Sequence, residues 1–192
     1  MSEQRRFWMR WRVRTGYPVG VIYWLLAAPS WRSILVCAIA SAIGLLIRGA
    51  AAGQLRKDEA LATTGPYART RNPLYLGSAF IAAGFIEAGR SWWAGALVGA
   101  YFAVFYYAVM RNEADDLRKR FGPIYDEYAA RVPLFYPALL RTGAEASSDE
   151  AAQQKFSWGL FRRNRESRAV VGTVAGLGLL CLRMWIRVRL GY

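Results

Sequence analysis

The stretch Ser91–Met110, SWWAGALVGAYFAVFYYAVM, carries no charged side chain along its whole length. A helix needs about 20 mostly apolar residues to cross a bilayer, so this stretch predicts a membrane-spanning helix. The whole 192-residue chain is 55% hydrophobic and 15% aromatic, whereas average usage is roughly 45–50% apolar even with glycine counted. The sequence therefore predicts an all-α integral membrane protein.

Four further apolar segments are candidate spans, namely Tyr17–Ala28, Ile34–Leu55, Leu74–Ile86 and Ala169–Leu182. Ile34–Leu55 contains Arg48 as its only charge, and Arg183 interrupts the last segment. The first segment stops at Pro29 and could be a short span or one arm of a helical hairpin with Ile34–Leu55. We therefore expect about five transmembrane helices.

The formal net charge of +13 indicates an anionic partner, either nucleic acid or a membrane surface. The cations flank the apolar segments and form no single basic stripe, which favours the lipid bilayer and argues against nucleic acid. They are frequent before the first span, between residues 56 and 71, and after Met110. The positive-inside rule places these parts in the cytoplasm, as expected for a bacterial-type inner membrane. A complete fifth span would put Arg187 and Arg189 on the far side, so an interfacial or re-entrant last helix is the alternative.

The pattern divides the chain into four parts. Residues 1–55 hold a basic segment and two membrane helices, 56–141 a core, 142–168 a polar linker, and 169–192 a membrane or interfacial helix. Within the core, apolar residues recur at helical spacing between charged ones from Glu113 to Tyr136. Gly122 and Pro123 interrupt this pattern, which predicts two amphipathic helices, the second beginning at Pro123.

Two cytoplasmic segments could carry chemistry: Thr63–Gly77, TTGPYARTRNPLYLG, and Glu113–Pro137, EADDLRKRFGPIYDEYAARVPLFYP. Pro66 and Pro73 disfavour helix between them, and a helix beginning after Pro73 would direct free amides at this loop, which suits an anionic group. A basic loop that binds nothing is the alternative. Histidine is absent, and the two cysteines have no metal-binding spacing, so we expect no metal site.

The two segments resemble the isoprenylcysteine carboxyl methyltransferase and phospholipid methyltransferase superfamily. That superfamily carries G-x-Y-x3-R-H-P-x-Y-x-G, then a span, then E-E-x2-L-x3-F-G-x2-Y-x2-Y-x3-V-x3-P. The first motif is matched by Gly65, Tyr67, Arg71, Asn72, Pro73, Tyr75 and Gly77, and the second by Glu113, Leu117, Phe121, Gly122, Tyr125, Tyr128 and Val132. The resemblance covers roughly Glu59–Pro137, under half of the chain.

The resemblance implies a methyltransferase that uses S-adenosylmethionine, bound in a cytoplasmic pocket formed with the amphipathic helices. The implied cofactor-binding residues are Glu59, Leu61, Ala62, Tyr67, Arg71, Asn72, Pro73, Leu74, Tyr75 and Glu113. Tyrosine rings can face the sulfonium or adenine, and a glutamate can bind the amine or ribose. An arginine or the helix N-terminus can hold the carboxylate.

Three positions depart from the superfamily pattern. Asn72 replaces the motif histidine, Ala114 replaces the second glutamate, and Val109 replaces an arginine that faces the substrate carboxylate in carboxyl methyltransferases. Arg111 is the nearest cation and our candidate catalytic residue, although two residues along a helix it faces away from position 109. We therefore expect the acceptor to be a membrane lipid or a small lipophilic molecule.

Other functions remain open at this point. They are an isoprenylcysteine carboxyl methyltransferase proper, a membrane reductase of the sterol-reductase type with a reduced nicotinamide cofactor, and a non-enzymatic basic scaffold that gathers anionic lipid. The paired motifs favour the methyltransferase over the reductase and the scaffold. The sequence leaves the oligomeric state open.

Overall fold

A computed structural model describes residues 3–56, 59–138 and 156–191, and these residues form helices and loops without any strand. The all-α expectation is confirmed. The helices are α1 (Glu3–Leu26), α2 (Trp31–Ala52), a 3-10 helix (Gly65–Ala68), α3 (Pro73–Gly89), α4 (Trp92–Phe121), α5 (Pro123–Arg131), α6 (Trp158–Arg163) and α7 (Ser167–Leu190). The linker segment Thr142–Gln154 lies outside the described residues, and α6 lies within the segment predicted to be a linker.

Local sequence explains where several helices begin and end. Ser30 forms a capping box with Ser33 at the start of α2, and Ser91 accepts a hydrogen bond from the backbone N–H of Ala94 at the start of α4. Proline occupies the first position of both α3 and α5. The expected helix start at Pro123 is therefore confirmed. Gly122 separates α4 from α5 with a φ of +54°, which glycine adopts without a Cβ penalty.

Three of the described helices, α2, α4 and α7, are long and apolar enough to cross a membrane. Helix α3 is apolar but has only 17 residues, and α1 carries several arginines in its first half. The expected count of five spans is thus not confirmed. Helix α7 continues through Arg183 and has 24 residues. Its length and composition therefore suit a span, whereas the charge pattern alone left an interfacial or re-entrant helix as the alternative.

Helix α4 combines a span with a cytoplasmic extension. The expectation of a separate amphipathic helix before Gly122 is wrong, because residues 113–121 continue α4 without a break. Thirty residues of helix extend over about 45 Å, while the hydrocarbon core is about 30 Å thick. The charged end of α4, which begins near Glu113, therefore stands beyond the membrane core.

The helices pack in a definite order. Helices α2 and α3 are closely apposed, because a Cβ on Gly44 would collide with the carbonyl oxygen of Gly77. Helix α1 packs mainly against α4, where the Tyr101 hydroxyl donates to the Arg12 carbonyl oxygen at 2.6 Å. Helix α1 therefore pairs with α4, and the alternative hairpin between α1 and α2 does not form. Helix α7 packs against α2.

Candidate functional site

A cavity of about 1370 Å³ lies where the loop before α3 meets α1, α3, α4, α5 and α7. Pockets for single small ligands usually measure about 300–1,000 Å³, so this cavity has room for two ligands side by side. Most of the predicted cofactor-binding residues line it: Leu61, Ala62, Tyr67, Arg71, Asn72, Pro73, Leu74, Tyr75 and Glu113.

The loop of residues 65–73 is held by a second segment, residues 132–138, which we call the strap. The Arg71 backbone N–H donates to the Pro133 carbonyl at 3.0 Å, and the Ala138 N–H donates to the Arg69 carbonyl at 2.9 Å. The Thr70 hydroxyl donates to the Phe135 carbonyl at 2.9 Å. Hydrogen bonds of this kind fix the irregular part of the loop, which follows the 3-10 helix and precedes α3.

Asn72 takes part in the same attachment. Asn72 is buried, and its side-chain amide donates to the carbonyl oxygen of Leu134 at 2.9 Å. The family histidine position is therefore occupied by a side chain that fixes the loop to the strap. A second hydrogen bond fixes the loop to α5, because the Tyr128 hydroxyl donates to the Tyr67 carbonyl oxygen at 2.7 Å.

Two polar atoms at the cavity have no hydrogen-bond partner among the described residues, namely the Tyr67 hydroxyl and the Nε of Arg71. Buried polar groups are nearly always paired, so these atoms suit a polar ligand. Burial, with a further contribution from the charge of Glu113, raises the pKa of Tyr67. The phenol therefore stays protonated and can act as a donor. The Arg71 guanidinium is itself fixed, since its Nη1 donates to the Tyr125 hydroxyl at 2.9 Å.

Glu113 faces the loop from α4. Its Oε2 accepts a hydrogen bond from the Tyr75 hydroxyl at 3.0 Å, and the Tyr75 ring meets the Tyr106 ring edge-on at 5.6 Å between centroids. The site thus places a carboxylate beside an aromatic wall. Such a wall can hold a cation through the negative face of the ring.

An ion pair that the sequence did not predict joins α2, which contributes Arg48 to the cavity lining, to Glu166, the residue before α7. Arg48 donates from Nε and Nη2 to the two carboxylate oxygens of Glu166 at 3.0 and 2.8 Å, and from Nη1 to Ser78 and to the carbonyl of Leu74. The only signal in the sequence was Arg48 itself, since a lone charge in an apolar span usually has a partner and a function. Its partner lies 118 residues away, where local patterns give no information.

Two predicted site residues lie away from the cavity lining. Glu59 is exposed, and its carboxylate pairs with Arg163 at 2.9 Å. Arg111 is exposed and lies 5.6 Å from the centroid of the Tyr107 ring, whereas Val109, with 1% exposure, lines the cavity. The structure therefore does not bring the candidate catalytic arginine to the position that Val109 occupies.

The charged residues of the lining are mostly cationic. Two are negative, namely Glu113 and Asp116, and besides Arg48 five are positive, namely Arg12, Arg56, Arg71, Lys119 and Arg120. The sixth cation, Arg48, is compensated by Glu166. Low-dielectric walls concentrate the field of such an excess. The cavity therefore favours a ligand that carries an anionic group.

Comparison with known proteins gives the family. The family profile described as phospholipid methyltransferase matches residues 20–124, which is more than half of the chain. A nickel-cobalt-cadmium resistance protein, NccN of Alcaligenes xylosoxydans xylosoxydans, is 33% identical over 138 residues, which are 67% of this chain and 63% of the relative. A cobalt-zinc-cadmium resistance protein, CzcN of Cupriavidus metallidurans, is 38% identical over 84 residues, which are 44% of this chain and 38% of the relative.

The chain thus spans less than two thirds of the length of either relative. No solved structure matches it. The family match ends just after the start of α5, so the strap, α6 and α7 lie outside it. The chain belongs to the phospholipid methyltransferase family, within the isoprenylcysteine and phospholipid methyltransferase superfamily.

Proposed function

We propose that this membrane protein transfers a methyl group from S-adenosylmethionine to a lipid or lipophilic acceptor on the cytoplasmic side of a bacterial inner membrane. The observation that carries the proposal is the buried hydroxyl of Tyr67, a residue that lines the cavity, because this hydroxyl has no partner among the described residues. A polar ligand would satisfy it. Membership of the family makes a methyl donor the ligand to test first.

The residues present fit the chemical groups of S-adenosylmethionine. The Tyr67 hydroxyl and the Arg71 Nε can donate to a carboxylate, and Glu113 can accept from an amine or from ribose hydroxyls. The Tyr75 ring can face a sulfonium or an adenine. Backbone from Leu61 and Ala62 and contacts from Asn72, Pro73 and Leu74 complete the proposed set, whereas Glu59 lies outside the cavity lining. When bound, this cofactor supplies a methyl group on a positively charged sulfur, which is a good leaving group.

The chain's own task is then to exclude water and to orient the acceptor. A buried carboxylate acceptor would need a fixed cation beside it, since an unpaired buried charge is costly. Val109 offers neither charge nor donor, and Arg111 lies outside the cavity lining, so we do not favour the carboxylate of a prenylated cysteine. The cationic excess of the cavity suits the phosphate of a membrane lipid. In such a lipid the phosphate binds and another group accepts the methyl.

The test is methyl transfer in membranes prepared with and without this protein. Lipids labelled from a radioactive methyl donor are separated by thin-layer chromatography, and cofactor binding to detergent-purified protein is measured by calorimetry. We expect a labelled lipid that depends on the protein, and binding that Glu113→Gln weakens while Glu127→Gln, on the exposed side of α5, does not. Binding of a reduced nicotinamide cofactor, with none of S-adenosylmethionine, would favour the reductase and refute the proposal.

The names of the two relatives, which are metal-resistance proteins, suggest a growth test of the same variants in cells. Growth of a strain lacking this protein is measured in medium with nickel, cobalt or cadmium salts. Rescue by the wild type but not by Glu113→Gln would link metal resistance to methyl transfer. Equal rescue by the wild type and by Glu113→Gln would show that metal resistance does not depend on methyl transfer.

A further inference from the structure

Residues 156–168, which we call the α6 segment, combine exposed aromatic rings with arginines and lie outside the family match. The Trp158 ring meets the Phe156 and Phe161 rings edge-on, at 5.1 and 5.7 Å between centroids. Trp158 is 70% exposed and Phe156 is 44% exposed. Tryptophan is enriched where a membrane meets water, because its ring is apolar and its N–H is polar. The aromatic part of the α6 segment therefore suits the boundary between hydrocarbon and headgroups.

The arginines of the α6 segment carry more positive charge than the described residues compensate. Arg163 forms an ion pair with Glu59. The carboxylate of Glu166 is taken by Arg48. Three further arginines are exposed and form no ion pair with a described residue, namely Arg162, Arg165 and Arg168. Like charges this close in the chain repel one another, so an anionic partner would stabilise the segment.

Hydrogen bonds to the end of α2 fix the position of the α6 segment. The Ser157 backbone N–H donates to the Gly53 carbonyl oxygen at 2.8 Å. The Asn164 side-chain amide donates to the carbonyl oxygens of Ala52 at 2.8 Å and Leu55 at 2.9 Å. Because α2 is long and apolar enough to cross a membrane, its end marks the level at which the hydrocarbon core gives way to headgroups. The α6 segment is attached at that level.

We propose that the α6 segment binds the headgroups of anionic phospholipids, with its aromatic rings at the hydrocarbon boundary and Arg162, Arg165 and Arg168 on the phosphates. Guanidinium groups form charge-assisted hydrogen bonds with phosphate oxygens, and each cation near an anionic membrane surface strengthens binding. The three arginines are absent from the described lining of the cavity. The inference therefore goes beyond the proposed methyl transfer, because lipid binding at this surface needs neither the cofactor nor the acceptor.

The experiment measures how many lipid molecules the detergent-purified full chain retains in native mass spectrometry. The probes are phosphatidylglycerol, which is anionic, and phosphatidylcholine with the same acyl chains, which has no net charge. The test variant combines Arg162→Gln, Arg165→Asn and Arg168→Gln. Asparagine is chosen at position 165 because Arg165 has a φ of +57°, which asparagine tolerates. Circular dichroism records the helix content of every variant.

Two further variants provide the controls. One removes the same charge at three exposed arginines outside the α6 segment, by Arg10→Gln, Arg14→Gln and Arg131→Gln. The other replaces the three arginines of the test variant by lysine, which keeps the charge. If the test variant failed to fold, the lysine variant and the salt dependence of the wild type would still test the proposal, because salt screens exposed charges.

We expect the wild type to prefer phosphatidylglycerol, and its affinity to fall about fivefold for each arginine removed in the test variant. Retention of phosphatidylcholine should not change. The lysine variant and the control outside the segment should keep most of the preference, and added salt should reduce it in the wild type. Equal loss in the test variant and the outside control would overturn the inference, because binding would then follow net charge alone. A wild type that retains both lipids equally would also overturn it.

Discussion

Tyr67 is a residue at which one substitution should weaken ligand binding without lowering stability. Its hydroxyl is buried without a partner among the described residues, so removing it leaves no broken bond in the unliganded protein. Tyr67→Phe should therefore not lower the thermal stability of the protein in detergent. The affinity for S-adenosylmethionine should fall about tenfold, because a hydrogen bond to a charged group contributes roughly 1.5 kcal/mol. Differential scanning fluorimetry and calorimetry measure the two effects.

Tyr128→Phe is the matched control, because the Tyr128 hydroxyl does have a partner, the Tyr67 carbonyl oxygen. This variant should lose stability. An unchanged affinity in Tyr67→Phe would show that the cofactor does not use the phenol.

Asn72 should act through the loop that it holds. Its amide donates to the carbonyl oxygen of Leu134, a half-buried residue, so Asn72→Ala should lower the free energy of unfolding by about 0.5–1.5 kcal/mol, the usual contribution of one hydrogen bond. Asn72→Asp replaces the donor by an acceptor and should be at least as damaging. Denaturant unfolding in detergent micelles measures both. Wild-type stability in both variants would show that the loop does not depend on this bond.

Single residues also show how far the sequence could predict the site. The paired motifs brought together Tyr67, Tyr75 and Glu113, which line one cavity in the structure, because the spacing of each motif is local and specific. The role of Asn72 was not predictable, since its partner is a backbone carbonyl of the strap, and any residue can supply a carbonyl. The exposed position of Arg111 on its helix agrees with the spacing argument that it faces away from Val109.

Among the elements, α4 shows why the boundary between membrane and cytoplasm was hard to locate. The change from apolar to charged residues near Glu113 is abrupt in sequence, yet no helix-breaking residue occurs before Gly122. The residues of α4 change from apolar to charged while its helical backbone continues. One helix therefore both crosses the membrane and lines the cavity. The starts of α3 and α5 were predictable, because proline fixes the backbone there.

The contact between α2 and the start of α7 should depend on one buried ion pair. The side chains of Arg48 and Glu166 are 18% and 7% exposed, so Glu166→Gln removes the charge that compensates a partly buried arginine. We expect a loss of roughly 3 kcal/mol, the low end for breaking buried pairs. The stability of detergent-solubilised protein against denaturant measures it.

The exposed pair between Arg163 and Glu59 provides the control for this prediction. Its side chains are 51% and 55% exposed, so Glu59→Gln should change stability by less than about 1 kcal/mol. Equal losses in the two variants would contradict a special role for the buried pair. Replacing both Arg48 and Glu166 by methionine should restore much of the stability, because an apolar pair carries no desolvation cost.

For the whole molecule, the charge pattern and the packing constrain the direction of α7. Asn164 and Glu166 precede α7, and they contact Ala52 and Arg48 near the end of α2. Further along α7, Arg183 contacts Ala27 at the end of α1. Helix α7 therefore runs antiparallel to α2 and parallel to α1. The positive-inside rule alone argued against this direction, because it carries Arg187 and Arg189 to the far side.

The packing therefore predicts the side on which the far end of α7 emerges. In a chain freed of Cys37 and Cys181, single cysteines are placed at three exposed positions, Trp92, Ile124 and Leu190. A membrane-impermeant thiol reagent applied to intact cells should label Trp92→Cys and Leu190→Cys but not Ile124→Cys, since α5 follows the cytoplasmic end of α4. All three should react after the membrane is opened. Protection of Leu190→Cys in intact cells, with Trp92→Cys labelled, would mean that α7 does not cross and that the two arginines follow the positive-inside rule.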